Sequence, residues 1–148
     1  MLKKAVAVVV GYLTMLVVVF VTFTGLYLAL GPDRAFQPGT YDPSGLWLTL
    51  SLTLSLVAAI LGGLVCATIG NSSAAVRSLA ILVVILGVIG AWPALDPGKD
   101  PRPSVRSADV PNMEAMMNAR QPVWVALSLP LIGAVGVLIG AARVRRLP

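Results

Sequence analysis

Four long apolar runs constrain this chain more than any other feature of its sequence. They cover about residues 5–30, 46–69, 74–92 and 122–142, and the one charged side chain within them is Arg77, in the first turn of the third run. A helix rises about 1.5 Å per residue, so about 20 residues cross a hydrocarbon core of roughly 30 Å. Backbone groups in lipid must bond within their own segment, which favours helices over lone strands. The runs therefore predict an all-α bundle of four transmembrane helices.

Composition supports one membrane domain over residues 1–148. The chain is 57% hydrophobic and 11% charged, with a mean hydropathy of +0.90, whereas soluble chains are about a quarter charged.

Gly31-Pro32 predicts the end of the first span. A long polar segment at 93–121 separates the last two spans, and its second part predicts a short helix at about 111–120.

Capping residues predict the other helix ends. Asp42 followed by Pro43 has the pattern of an N-cap and a first helical residue, and so predicts the start of the second helix. Asn71, after a glycine, suits a helix C-terminus. Ser72 or Ser73 suits the N-cap of the third helix.

Charge is divided unevenly among the connecting segments. All six acidic residues lie in segments 31–45 and 93–121. The two termini and segment 70–77, which includes the first turn of the third span with Arg77, carry six basic residues and no acid. The positive-inside rule then places both termini in the cytoplasm and loops 31–45 and 93–121 outside. We expect an integral protein of the cytoplasmic membrane of a bacterium. We interpret the outer charges as solvated groups, and expect three outer-interface anchors: Trp47, Trp92 and Trp124.

Small residues recur at helical spacing along three of the spans. Such rows let helix backbones approach closely in lipid, where the hydrophobic effect does not drive helix association. Two interpretations stay open: packing within the bundle, and a docking face for another subunit. The rows comprise Ser51, Ser55, Ala59, Gly63 and Ala67 in the second span, Gly87 in the third, and Gly133, Gly136 and Gly140 in the fourth.

Hydroxyl side chains within the spans have two readings. They could line a polar path across the membrane. More often, a Ser or Thr in a helix donates back to a carbonyl one turn earlier, and this is what we expect here. The set comprises Thr14, Thr22, Thr24, Thr49, Ser51, Thr53, Ser55 and Ser128.

Sulfur-bearing residues offer two weaker candidates. Met113, Met116 and Met117 fall on one face of the short polar-segment helix. Thioethers can bind Cu(I), but an amphipathic helix on the membrane surface fits these residues better. Cys66 lies near the cytoplasmic end of its span, where palmitoylation is conceivable. We expect it instead to be a small packing residue in the same row as Gly62.

The expected function follows mainly from what the spans lack. There is no histidine in the chain and one cysteine, which removes the usual general base and most zinc and copper sites. Transport coupled to ions or protons usually uses a charged residue inside the membrane. We therefore expect a non-catalytic accessory subunit without cofactor, metal or catalytic residues. Its partners would be the lipid bilayer and other membrane subunits or itself, not nucleic acid. The alternative is a small oligomeric transporter or channel.

Overall fold

A computed structural model gives the fold, and it describes residues 2–95, 103, 105–107 and 110–144. Five α-helices and one 3-10 turn at Trp92–Leu95 make up its regular structure, and the described residues form no strand beyond two isolated bridges. The helices are α1 (Leu2–Ala35), α2 (Gly45–Gly70), α3 (Ser73–Ala91), α4 (Asn112–Met117) and α5 (Val123–Val144).

Four of these helices are long and apolar enough to cross a membrane: α1, α2, α3 with its 3-10 extension, and α5. The prediction of an all-helical chain with four helices long and apolar enough to cross a membrane is thereby confirmed for the described residues. The short α4 lies within the range 111–120 given for it by the sequence. Several charged residues of the polar segment, including Asp96, Lys99 and Asp109, lie outside the described residues.

The first helix is interrupted near the residue at which the sequence predicts its end. Gly31 has φ 68° and ψ 173°, which are not helical angles, and a positive φ of this kind is readily adopted only by glycine. One further turn follows, closed by the Phe36 N–H, which donates to the Pro32 carbonyl at 3.0 Å. The chain thus changes direction at Gly31, and Ala35 and Phe36 after the kink are buried.

The start of α2 differs from the sequence prediction. Ser44, not Asp42, is the N-cap, and its hydroxyl accepts a hydrogen bond from the Trp47 N–H at 3.1 Å. Asp42 instead uses its backbone carbonyl to accept from Gln37 N–H at 2.9 Å, and Pro43 forms an isolated bridge with Phe36. The helix therefore begins two residues later, because these contacts with Gln37 and Phe36 hold Asp42 and Pro43 in the preceding turn.

The turn between α2 and α3 follows the predicted capping pattern. Asn71 adopts a left-handed conformation with φ 42°, and its N–H donates to the Ala67 carbonyl at 2.9 Å. The Ser72 hydroxyl then accepts from Ala74 N–H at 3.3 Å and caps α3. Two residues therefore reverse the chain, which brings α2 and α3 together as antiparallel neighbours.

Helix α2 is central to the bundle. It packs along α1 on one side and along α5 on the other, while α3 packs mainly on α5 and makes smaller contacts with α1 and α2. The side chains at the centre are small: Ala7, Ala59 and Cys66 have no exposed surface, and the largest fully buried residues are Leu79, Val137 and Cys66 itself.

A loop cap, formed by residues 33–44, 105–107 and 111–120, covers the end of the bundle where α1 stops and α2 begins. Its core is a second apolar cluster that includes Tyr27, Phe36, Tyr41 and Ala115. The Tyr27 hydroxyl donates to the Asn112 carbonyl at 2.9 Å, which ties α1 to α4. The loop cap is thus built on the last turns of α1.

Candidate functional site

Glycines bring the backbones of α2 and α5 into direct contact. A methyl group added at Gly63 would lie 2.6 Å from Val137 Cα, and one added at Gly140 would overlap the Ile60 carbonyl oxygen. Real Cβ atoms essentially never approach other atoms so closely. No side chain larger than a hydrogen atom fits at Gly63 or Gly140. The two helices can therefore approach this closely only because both positions are glycine.

The rest of the α2 row also faces the bundle interior. Ser51, Ala59 and Ala67 are buried and Ser55 is half-buried. A methyl group at Gly136 of α5 would lie 2.6 Å from Ala59 Cβ. The structure therefore brings the predicted rows of α2 and α5 together, facing each other.

The α3–α5 contact uses the two remaining predicted glycines. A methyl group at Gly133 would lie 2.6 Å from Val83 Cγ1 of α3. A methyl group at Gly87 would lie 2.5 Å from the ring of Pro130, the proline inside α5. Each glycine thus makes room for a side chain of the partner helix. All of the small-residue rows chosen from sequence lie at contacts inside the bundle.

A third helix contact, between α1 and α2, depends on a residue that sequence reasoning missed. A methyl group at Gly11 would lie 2.8 Å from Cys66 Cβ and 2.9 Å from the Gly62 carbonyl oxygen. The Cys66 side chain is fully buried against this glycine, which agrees with its expected role as a small packing residue. The signal was present: Ala7 and Gly11 are small residues four positions apart, the spacing typical of close helix contacts.

The hydroxyl groups are largely engaged with their own helices. Thr14 donates to the Val10 carbonyl at 2.8 Å, and Thr53 donates to the Thr49 carbonyl at 2.8 Å. Such bonds satisfy a hydroxyl without a solvated path. The same kind of bond, to a carbonyl three or four residues earlier, is made by Thr22, Thr49, Ser51, Thr68 and Ser128.

The three tryptophans lie at one end of the bundle, because α2 and α5 begin there and α3 ends there. Trp92 and Trp124 are 73% and 57% exposed. Trp47 is half-buried, and its ring meets those of Phe23 and Tyr27 edge to face at 6.0 and 5.9 Å between centroids. Trp47 therefore belongs to a packed aromatic cluster, whereas the other two project outward.

An aromatic groove of about 280 Å³ opens between α1, the start of α2 and the loop cap. Its walls combine residues of the helices with residues of the loop cap, and the rings hold one another edge to face, which is a favourable geometry. Met116 of α4 forms part of one wall, so one of the three methionines contributes to this groove. The aromatic groove is defined by Phe20, Phe23, Tyr27, Phe36, Trp47 and Met116.

A buried arginine lies beside this groove. Arg106 Nη2 donates to Asp33 Oδ1 at 3.0 Å, and the Arg106 side chain is 6% exposed while that of Asp33 is 86% exposed. Arg106 Nε and Nη1 are buried and have no hydrogen-bond partner among the described residues. The backbone N–H of Arg106 donates to the Gly39 carbonyl at 2.9 Å, so Arg106 bonds on both sides of Phe36, a wall of the groove. Arg106 therefore departs from the expectation that the charges of this segment are solvated.

The arrangement is suited to binding. It offers helix contacts made by small residues, an apolar groove and a cation with unused donors. Within the part of the chain that the structure describes, no cluster of three or more His, Cys, Asp or Glu side chains could hold a metal ion. No protein-family model, curated protein or solved structure matches this chain.

Proposed function

We propose that this chain is a non-catalytic membrane subunit that docks through α1 onto a larger membrane complex or onto a second copy of itself. The observation that carries the proposal is the position of α1 in the bundle. Only 11% of its most apolar 18-residue stretch is buried, compared with 44% for α5. A helix that touches its own bundle along one side leaves the opposite side available to a partner.

The part of α1 best suited to docking is the Gly25 face, formed by Val17, Val21, Gly25 and Leu28. Its three larger side chains are 60–67% exposed. A methyl group at Gly25 would meet no atom within 4 Å, unlike one at any of the glycines inside the bundle contacts. A glycine on a lipid-facing surface allows a second helix to approach closely. The small-residue rows of α2 and α5 already face each other, so docking is assigned to α1 instead.

Location and orientation belong to the same proposal. The acid-free basic segments support cytoplasmic termini in the inner membrane of a bacterium, with the loop cap outside. Clustering of Trp47, Trp92 and Trp124 at the loop-cap end supports an interface there, because tryptophan favours that depth.

The alternative, a small oligomeric transporter or channel, has less support. A conduit needs polar groups free to contact a solute. Most hydroxyls of the spans donate to carbonyls of their own helices, and the helix contacts are closed by glycine against backbone. The spans carry no acidic residue that could couple transport to protons or ions.

The test is extraction of the tagged chain from native membranes in a mild detergent, followed by native mass spectrometry. We expect a complex of fixed stoichiometry in the parent protein. Gly25→Leu places a bulky side chain at the point of closest approach, and we expect it to abolish the complex.

Gly90→Leu is the matched control. Gly90 is also exposed on a span, α3, with nothing within 4 Å of an added methyl group, so this substitution should leave the complex intact. A parent chain that is monomeric under several mild conditions would refute docking. Loss of the complex in both variants would refute the assignment of docking to the Gly25 face.

A further inference from the structure

The aromatic groove and Arg106 lie at the same end of the bundle, and the segment around Phe36 joins them. Phe36 lines the groove, and Arg106 bonds to residues on both sides of Phe36: Nη2 donates to Asp33 Oδ1 at 3.0 Å and the backbone N–H donates to the Gly39 carbonyl at 2.9 Å. The groove is apolar, while the guanidinium carries a full positive charge that remains at any physiological pH. Together they make a site with an apolar end and a cationic end.

The size of the groove limits its occupant. About 280 Å³ is close to the lower end of small-molecule pockets, roughly 300 Å³. A helix with its side chains is about 10–12 Å across and too wide to enter, whereas a single hydrocarbon chain fits. The walls come from the span through Phe20 and Phe23 and from the loop cap through Phe36 and Met116. The groove therefore lies where lipid chains meet their head groups.

The charge of Arg106 indicates which kind of head group the bound hydrocarbon chain would have. Asp33 takes one N–H of Arg106, and the buried Nε and Nη1 have no partner within the described parts of the chain. Buried donors are nearly always bonded in native proteins, and a planar guanidinium matches the geometry of phosphate oxygens. Displacement of the exposed Asp33 carboxylate would free Nη2 as well, and the entering anion would take its place on the guanidinium. The unused donors are complementary to an anion.

We propose that this site binds one anionic phospholipid, with a hydrocarbon chain in the aromatic groove and its phosphate on Arg106. The Gly25 face takes no part in it. Lipid binding at this site and docking through that face therefore succeed or fail independently.

Trp47 provides the readout, because it is a wall of the groove. A reporter variant with Trp92→Phe and Trp124→Phe keeps Trp47 as its one tryptophan. This variant is reconstituted into phosphatidylcholine vesicles. Increasing fractions of brominated phosphatidylglycerol or brominated phosphatidylcholine are then added, since bromine quenches a tryptophan that it touches. We expect the anionic lipid to quench Trp47 at a membrane fraction roughly fivefold lower than phosphatidylcholine needs. This preference is the effect of one basic residue near a charged lipid. Equal quenching by the two lipids would overturn the proposal.

Two matched substitutions test the groove. Val19 lines the aromatic groove, and Val135 lines another apolar groove, of about 410 Å³, between α2 and α5. Val19→Phe should remove the preference for the anionic lipid, because it fills the space for the chain. Val135→Phe should leave the preference unchanged. If Val19→Phe also leaves it unchanged, the aromatic groove is not the site.

Two further substitutions test the charge. Arg106→Gln should abolish the preference. Asp33→Asn breaks the same ion pair but frees the guanidinium, so the preference should persist or rise. If the ion pair had only a structural role, both variants would lose the preference for the anionic lipid. That result would refute phosphate binding. Relief of quenching by inorganic phosphate alone would assign the site to a free anion and refute the lipid.

Discussion

Replacement of Gly140 by alanine is the sharpest test of the packing between α2 and α5. The added methyl group would overlap the Ile60 carbonyl oxygen and lie 2.9 Å from both Ile60 C and Leu64 N. All three are backbone atoms of α2, so no side chain can rotate away to relieve the contact. The helices must separate locally by roughly 1 Å to accommodate the methyl group.

The cost follows from that separation. A gap of 0.5–1 Å forfeits about a quarter to a half of each dispersion contact that it opens, and overpacking a tight core costs about 1–3 kcal/mol. Because the clash is with backbone, we expect Gly140→Ala to lower the free energy of unfolding by about 2–3 kcal/mol. Alanine is the better helix former by at most about 1 kcal/mol, which offsets only part of this.

The measurement is reversible unfolding in mixed micelles with increasing dodecyl sulfate, followed by circular dichroism. Gly90→Ala is the matched control, because a methyl group there meets nothing within 4 Å and Gly90 lies outside the Gly25 face. It should be neutral or stabilising by up to about 1 kcal/mol. If Gly140→Ala proves no less stable than Gly90→Ala, the close approach of α2 and α5 is wrong.

Two further predictions concern other contacts. Cys66 has no exposed surface, so a small membrane-permeant maleimide should label it only after dodecyl sulfate unfolds the bundle; rapid labelling of the folded protein would contradict the packing of α1 on α2. Tyr27→Phe removes the hydrogen bond to the Asn112 carbonyl and should cost about 0.5–1.5 kcal/mol. It should also speed deuterium exchange in α4 while leaving exchange in α5 unchanged, and unchanged exchange in α4 would argue against this tie between α1 and the loop cap.

The sequence predicted the number and kind of spans because that information is local. A run of about 20 apolar residues has few stable solutions in lipid other than a helix, and capping is equally local at Asn71 and Ser72. The same reasoning failed at Asp42. Its sequence suits an N-cap, but the pairing of Pro43 with Phe36 delays the helix to Ser44. A contact seven residues away overrode the local preference.

The candidate sites were less predictable, because they depend on which helix faces which. Small residues at helical spacing identified the packing rows, but nothing in the pattern told whether a row meets its own bundle or a partner. Gly63 of α2 lies against Val137 and Gly140 of α5 lies against Ile60, whereas a methyl group added at Gly25 would meet no atom within 4 Å. The three glycines belong to similar sequence patterns.

The sequence by itself determined that this chain forms four apolar helices and that its charges, apart from Arg77, lie outside their apolar runs. Hydrophobicity and chain length decide those properties, and both are sums over neighbouring residues. Only the tertiary structure decided that the small-residue rows close on one another, that α1 keeps an uncovered face, and that Arg106 is buried beside an aromatic groove. The physical reason is that each of these joins residues far apart in the chain: Arg106 and Asp33 are 73 positions apart. Their meeting depends on how the helices pack and how the loop cap folds over them.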